Sequence, residues 1–356
     1  MTNKTLPERY KCTKDRESGG FGSVVKCLDV HLDRFVAIKS INDPEDSGRM
    51  RDEFSALMKM RSKHVVELFD VIEFEGGDIS IVEEYIDGPS LHDVSDDIRD
   101  ANHLVKILWQ IASGISEIHA HDIIHRDIKP GNMKIDQEGL VKIFDFGLSR
   151  NIDNAKTVGF KGTPIFAAPE LYMQNVNFTK AIDTYAFSVT AMCLAKTPIP
   201  DEMTRYPKIL TSNPFDNSEI QLPNFLKNLL YRCLDSSPQN RPSMWEVCNG
   251  LKKFLLYNSH RALLISISEN KPARVISATN KTEFYDNPGV GSIEITYSGS
   301  EFYISNISGE VHINNIKARQ HNILPNSCVI ILGPSGKSSV KRIFITFDLS
   351  HPEVVL

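Results

Sequence analysis

Between residues 10 and 85 apolar and polar positions alternate in short bursts: "SVVKCLDV" (23–30), "FVAIKSI" (35–41), "VVELFDVIEF" (65–74) and "ISIVEEYI" (79–86), each set off by turn residues. Alternation with a period of two marks strands that bury one face. One segment breaks the rhythm. In "RDEFSALMKMRS" (51–62), Phe54, Leu57, Met58 and Arg61 recur at i, i+3, i+4 and i+7, the spacing of an amphipathic helix whose last place is taken by an arginine stem. A small sheet with one helix is therefore predicted for a first lobe over residues 10–86. From about 100 to 257 helical spacing takes over, in "LVKILWQIASGISEIHA", "TYAFSVTAMCLAK" and "LPNFLKNLLYRCLD", and predicts a helix bundle for a second lobe, 87–257. Past residue 262 the runs "ALLISIS", "SIEITYS", "EFYISNIS", "EVHINNI", "CVIILG" and "RIFITFDL", divided by turn residues, predict a separate all-β sandwich over 262–356. The fold class is α+β: a two-lobed domain followed by a small sandwich.

Totals narrow the function classes. A formal net charge of −5 supplies no global field toward nucleic acid or anionic lipid, and in the sandwich eight basic residues cancel eight acidic ones. The six cysteines, Cys12, Cys27, Cys193, Cys233, Cys248 and Cys328, have no C-x-x-C spacing. They read as buried thiols in a reducing compartment and not as a zinc site or a disulfide framework. The start, "MTNKTLPERYKC", lacks the apolar stretch of a secretory signal, and runs such as "FSVTAMCLA" fall well short of the roughly 20 residues that span a bilayer. The expectation is a cytoplasmic protein that binds neither membrane nor nucleic acid.

Chemistry enters with "ESGGFGSVVKCLD" (17–29), where Gly19, Gly20 and Gly22 crowd into four positions. Backbone without β-carbons there lets the amides around Gly20, Phe21 and Gly22 close on a phosphate, although a plain hairpin turn has the same composition. "VAIK" follows, ending in Lys39. In "IIHRDIKPGNMKI", Asp127 can accept the proton of an attacking hydroxyl, Lys129 can neutralise a transferring phosphoryl group, and Asn132 can offer an oxygen to Mg²⁺. In "IFDFGLS", Asp145 follows an apolar strand and can bridge Mg²⁺ to phosphates.

Taken in order, these motifs resemble the eukaryotic-type (Hanks-type) Ser/Thr protein kinase domain, over residues from about 10 to 257. The resemblance implies the bilobal protein kinase fold, with ATP as phosphoryl donor, Mg²⁺ or Mn²⁺ as cofactor, and protein substrates. It makes Asp127, Lys129, Lys39 and Glu53 the catalytic set, with Glu53 as the ion-pair partner of Lys39, and Asn132 and Asp145 the metal ligands. Gly19, Gly20, Phe21, Gly22, Val24, Ala37, Lys39, Glu84 and Ile86 would surround the nucleotide. "GTPIFAAPE" would end the activation segment as a platform for the acceptor peptide, with Glu170 paired to Arg241 and Asp183 as a buried helix aspartate. Lys129 and Thr163 together imply Ser/Thr specificity. Thr157 is the acceptor expected for activation-loop autophosphorylation, and Arg126 with Arg150 would bind its phosphate.

Departures from the family pattern are visible as well. The first position of G-x-G-x-x-G-x-V is Glu17, and Glu83 stands where the family has an apolar gatekeeper, unless it is an edge-strand charge. "ILGPSGKSSV" lacks the four-residue gap of a nucleotide P-loop and precedes a strand, so a hairpin turn is predicted. The sandwich resembles a degenerate forkhead-associated (FHA) module in "FYISNISGEVHINN" and "LPNSCVIILG", without that family's Gly-Arg, Ser-x-x-His and Asn-Gly-Thr elements. A protein partner for it and a homodimer stay open, as do two other readings of the whole chain: a pseudokinase scaffold and a small-molecule phosphotransferase.

Overall fold

A computed structural model describes residues 6–19, 22–41, 47–74, 78–146, 150–151, 164–173, 178–267, 272–334 and 342–350; for 14–19, 22, 41, 47–50 and 150–151 it describes the backbone alone. The chain divides into two compact units, Met1–Leu251 and Lys252–Val355.

The first unit opens with strands β1 (Tyr10–Gly19), β2 (Gly22–Asp29) and β3 (Arg34–Ile41), then helix α1 (Ser47–Leu57), β4 (Leu68–Glu73) and β5 (Ile79–Glu84). Its sheet has the order β1-β2-β3-β5-β4 with antiparallel neighbours. Register decides what each face carries. Val24 pairs with Lys39, Lys39 with Ile81 and Ala37 with Glu83, so these five side chains share one face. Cys27, Val36, Ile38 and Val82 take the other face, where they pack with Tyr10 and Ile72 in an apolar core. β1 is absent from the predicted strands because "YKCTKDRESG" is too polar to alternate; it lies at the sheet edge and pairs with β2 down to Gly19 and Gly22.

Helix α1 ends at Leu57, before Met58 and Arg61, and Met58 is 61% exposed. The buried stripe is Glu53, Ala56, Leu57 and Met60, the expected spacing displaced by one residue. A carboxylate in its first place hid it from a hydrophobicity pattern.

The second lobe is mainly helical: α2 (Ala101–Ala120), α3 (Ala181–Leu194), α4 (Asp201–Thr204), α5 (Asn224–Cys233) and α6 (Met244–Leu255). Asp100 caps α2 by accepting from His103 N at 2.9 Å. Two small ladders carry the segments between α2 and α3: β6 (Ile123–Ile124) with β9 (Arg150–Asn151), and β7 (Met133–Ile135) with β8 (Val141–Ile143), the last being the apolar strand expected before Asp145 and the other three not anticipated within a helix bundle. Backbone bonds at Ile143 join the lobes, and the linker between them is tied down within the second. Val66 N and His64 O bond to Ile143 O and N at 2.9 Å, and the linker after β5 runs along β7, with Leu91 N on Met133 O at 2.9 Å. Gly88 is required in that linker, since a β-carbon there would collide with the Ile135 carbonyl oxygen.

The second unit consists of two antiparallel sheets. Strands β10 (Arg261–Ser266), β11 (Arg274–Ile276), β12 (Thr282–Asn287), β13 (Gly291–Tyr297), β14 (Phe302–Gly309), β15 (Val311–Ile313), β16 (Ile316–Lys317), β17 (Ser327–Leu332) and β18 (Ile343–Ser350) form a six-stranded sheet, β11-β10-β18-β17-β15-β16, and a three-stranded one, β12-β13-β14. Alternate residues point inward, and Leu264, Ile295, Phe302, Ile330, Ile345 and Phe347 belong to one buried cluster. β11 and β12 escaped the pattern because one is short and the other polar. β17 and β18 pair antiparallel across "ILGPSGKSSV", in keeping with the hairpin reading; residues 335–341 between them lie outside the described set. Among the described residues no helix is long and apolar enough to cross a membrane.

The thiol expectation fails at two positions. Cys12 and Cys27 face each other across β1 and β2 and form a disulfide, with Cys12 exposed and Cys27 buried. Spacing could not reveal this pair, because sheet register and not sequence distance brings the sulfurs together. Cys193, Cys233, Cys248 and Cys328 are not disulfide-bonded, and two of these are only partly buried. Protein purified without reductant and alkylated under denaturing conditions is expected to take up label at four cysteines, and at six after reduction; six labels before reduction would contradict the bond.

Candidate active site

Three chain segments meet at Lys39. Its Nζ donates to Glu53 Oε1 and to Asp145 Oδ1, both at 2.7 Å. Burial works against the ammonium, yet Glu53, Asp145 and Glu83 outweigh it and raise Lys39 above the ordinary lysine range. Burial likewise pushes the Glu53 carboxyl up while Lys39 pulls it down. Because Glu53 Oε1 also accepts from Phe146 N at 3.1 Å, two donors favour its ionised form. This second bond fixes the residue after Asp145, whose own backbone is left-handed at φ 66°. Glu53 therefore positions both the lysine and the aspartate.

The second cluster lies on the turn between β6 and β7. Asp127 Oδ2 accepts from Lys129 Nζ at 2.6 Å and from Asn132 Nδ2 at 2.8 Å, and the same Nδ2 reaches Asp127 O at 2.9 Å. Phe144 N bonds to Asn132 O at 3.1 Å, which ties this turn to the segment carrying Asp145.

Asp183, fully buried on α3, organises the turn from beneath. Its Oδ2 accepts from His125 N at 2.8 Å and His119 Nε2 at 2.9 Å, and its Oδ1 accepts from Arg126 N at 2.8 Å. Burial alone would raise its pKa; these donors prevail and hold it below the usual carboxylate range. They also hold Arg126 in the left-handed region, φ 72°, a strained backbone immediately before Asp127. His125 Nδ1 accepts from Asp127 N at 3.3 Å and its Nε2 meets Phe144 O at 3.2 Å, so the ring carries its proton on Nε2. Burial keeps that imidazole below its ordinary range and neutral. Further on, Glu170 and Arg241 form two parallel bonds of 2.7 Å in a buried pair.

Each remaining site expectation has a place. The backbone of Gly19 and Gly22 closes the β1–β2 ladder, and Val24 and Ala37 lie on the Lys39 face. Ile86 is buried, while the Glu84 carboxylate turns to Lys142 at 2.8 Å, so a nucleotide contact at Glu84 falls to its backbone. The Arg126 guanidinium lies 4.5 Å over the Phe178 ring. The backbone of Arg150 pairs with Ile124. Gly20, Phe21, Thr157 and Thr163 lie outside the described residues, as do the side chains of Glu17 and Arg150.

The donor set suits a hard cation. Both Asn132 amide hydrogens end on Asp127, which leaves its oxygen as the ligand end, and Asp145 adds a carboxylate. Among the described residues no group of three or more His, Cys, Asp or Glu forms a metal cage. A partial oxygen set is the kind that phosphates and waters complete around Mg²⁺.

A family model, protein kinase domain, matches residues 16–251, well over half of the chain. This chain belongs to the protein kinase family. Relatives include cyclin-dependent kinase-like 2 of Oryctolagus cuniculus, 28% identical over 280 residues that cover 66% of this chain and 49% of that protein. The carbon catabolite-derepressing protein kinase of Candida tropicalis is 29% identical over 308 residues, covering 80% and 48%. The dual specificity protein kinase shkB of Dictyostelium discoideum is 29% identical over 263 residues, covering 67% and 40%. The chain spans about half the length of the curated relatives it matches. The family match stops at Leu251 and leaves the sandwich outside it.

One residue of the kinase cleft departs from its edge-strand alternative. Glu83 belongs to β5, an interior strand, and faces Ala37 and the Lys39 side at 7% exposure. Its Oε1 lacks a hydrogen-bond partner among the described residues. Burial, joined by the nearby Glu53 charge, pushes it up to about 8 against the pull of Lys39. The folded kinase thus keeps a proton that the unfolded chain releases above the ordinary glutamate pKa, so stability present at low pH is lost as pH rises toward 8. Glu83→Gln removes this loss. The melting temperature of the variant relative to wild type is expected to climb between pH 5 and pH 8.5, an effect on the order of a few kcal/mol; a difference constant across that range would contradict the assignment.

Proposed function

We propose that this chain transfers the γ-phosphoryl group of ATP to serine or threonine hydroxyls of proteins. The observation that carries the reading is the Asp127 carboxylate, held at Oδ2 by Lys129 and Asn132 beside the Lys39–Glu53–Asp145 cluster. In the reaction the acceptor oxygen bonds to the γ-phosphorus, the bond to the bridging β–γ oxygen breaks, ADP leaves, and the hydroxyl proton passes to Asp127 Oδ1. Lys129 offsets charge on the moving phosphoryl group, and Lys39 holds the phosphates that stay behind. Asn132 and Asp145 would hold Mg²⁺ or Mn²⁺, which spreads charge over the β- and γ-phosphates when bound. Because the transition state is loose, the residues contribute position and charge more than covalent chemistry.

Protein acceptors are favoured by the segment from Pro164 to Glu170, whose ordered turns serve as a peptide platform that a small-molecule phosphotransferase does not need. Ser/Thr preference rests on Lys129 together with Thr163; one relative has dual specificity in its name. Autophosphorylation at Thr157, with Arg126 and Arg150 as phosphate ligands, belongs to the same proposal. So do the domain limits 10–257 and 262–356, and a sandwich of FHA-like kind used for protein contact, in a monomer or a homodimer. The proposed compartment is the cytoplasm; a Cys12–Cys27 bond that survives in freshly lysed, thiol-blocked cells would argue against it.

Asp127→Ala is the direct test. With labelled ATP, phosphate incorporation is expected to fall by about 100-fold or more, while the affinity for ATP stays within a few-fold of wild type. Undiminished transfer by the variant rejects the reading.

A further inference from the structure

Lys208 lies in the loop after α4, with a left-handed backbone, φ 57°, and an exposure of 4%. Burial of an ammonium is costly, and here it pushes the group down to about 8. Among the described residues no carboxylate pairs with it. Its Nζ instead donates to two backbone carbonyls, Pro164 O and Ala167 O, at 2.8 Å each. The rings of Tyr172 and Tyr185 stand 5.2 and 5.9 Å from the same nitrogen. Pro164 O accepts a second bond, from Tyr172 Oη at 3.1 Å.

An apolar side chain in this place would fold more cheaply, so the charge needs another reason. The carbonyls it grips belong to the short turn Pro164–Phe166 and to Ala167, at the upstream end of the segment read above as the acceptor platform. Arg241 holds the downstream end through Glu170 and also reaches Ala181 O at 2.9 Å. Among the described residues the polar and ring partners of Lys208 are Pro164, Ala167, Tyr172 and Tyr185, none of them on the nucleotide side. The platform is thus shaped from two ends by two cations, and Lys208 acts on the upstream one.

We infer that Lys208 is a positioning residue for the protein acceptor, setting the shape of residues 164–167 through their carbonyls and so governing acceptor binding separately from nucleotide chemistry. This rests on the kinase reading above. The test uses the full chain with dephosphorylated casein as acceptor, and slow ATP hydrolysis to water as the acceptor-independent readout. Lys208→Met is expected to raise KM for casein about tenfold, with KM for ATP and the hydrolysis rate within about twofold of wild type. Lys208→Gln, which retains two N–H donors, should fall between the two, and it is read in the same way if the Met variant does not fold. An unchanged KM for casein overturns the inference. Equal losses in casein transfer and ATP hydrolysis also overturn it, because they reveal a merely structural role. A wild-type chain that labels neither casein nor itself is a different result: it removes the kinase reading, and this inference falls with it.

Discussion

The architecture depends on one ammonium shared by two carboxylates. Lys39 comes from the sheet, Glu53 from α1 and Asp145 from the segment after β8; both contacts are 2.7 Å, and the one to Asp145 joins the first lobe to the second. Glu83 adds a third carboxyl group on the same face. Three acids around one base is a poor arrangement for stability, since the desolvation of each charge, and of the protonated Glu83 carboxyl, must be offset and an apolar core would fold more readily. Its use lies in convergence: an ion pair draws the helix and the Asp145 segment onto the strand where phosphates would bind. The one-residue displacement of the α1 stripe follows directly, because Glu53 occupies a core position.

Below this clamp, the second lobe repeats the device with backbone as cargo. Asp183 spends both oxygens on the amides of His125 and Arg126 and on the His119 ring, and the left-handed turn at Arg126 persists because those bonds over-determine it. Asp127 inherits its orientation from that turn. Glu170 with Arg241, and Lys208 with two carbonyls, do similar service for residues 164–170. Buried charge in this molecule shapes loops that hydrophobic packing could not hold.

How much of this was legible in the sequence varies with the physics. Lys39, Asp127, Asn132 and Asp145 stood out because motif order along the chain reports their roles, and strand alternation exposed β2 through β5. Glu53 could be named through the family resemblance, though the hydrophobic pattern placed the wrong face inward. β1 and β12 were hidden by polar composition, and β6, β7 and β9 by brevity, whereas β8 is the apolar strand expected before Asp145. The Cys12–Cys27 bond depends on sheet register, and Glu83 could be assigned to an interior strand only once β4 was seen to flank β5. Lys208 had no sequence signal at all: it is one lysine in a loop, and its partners are carbonyls more than 40 residues away.

The most direct measurement is a crystal structure with Mg²⁺ and a nonhydrolysable ATP analogue. The account predicts Lys39 Nζ on a phosphate oxygen, and both the Asn132 amide oxygen and the Asp145 carboxylate on the metal. A triphosphate bound elsewhere, or a metal that contacts neither Asn132 nor Asp145, would contradict it.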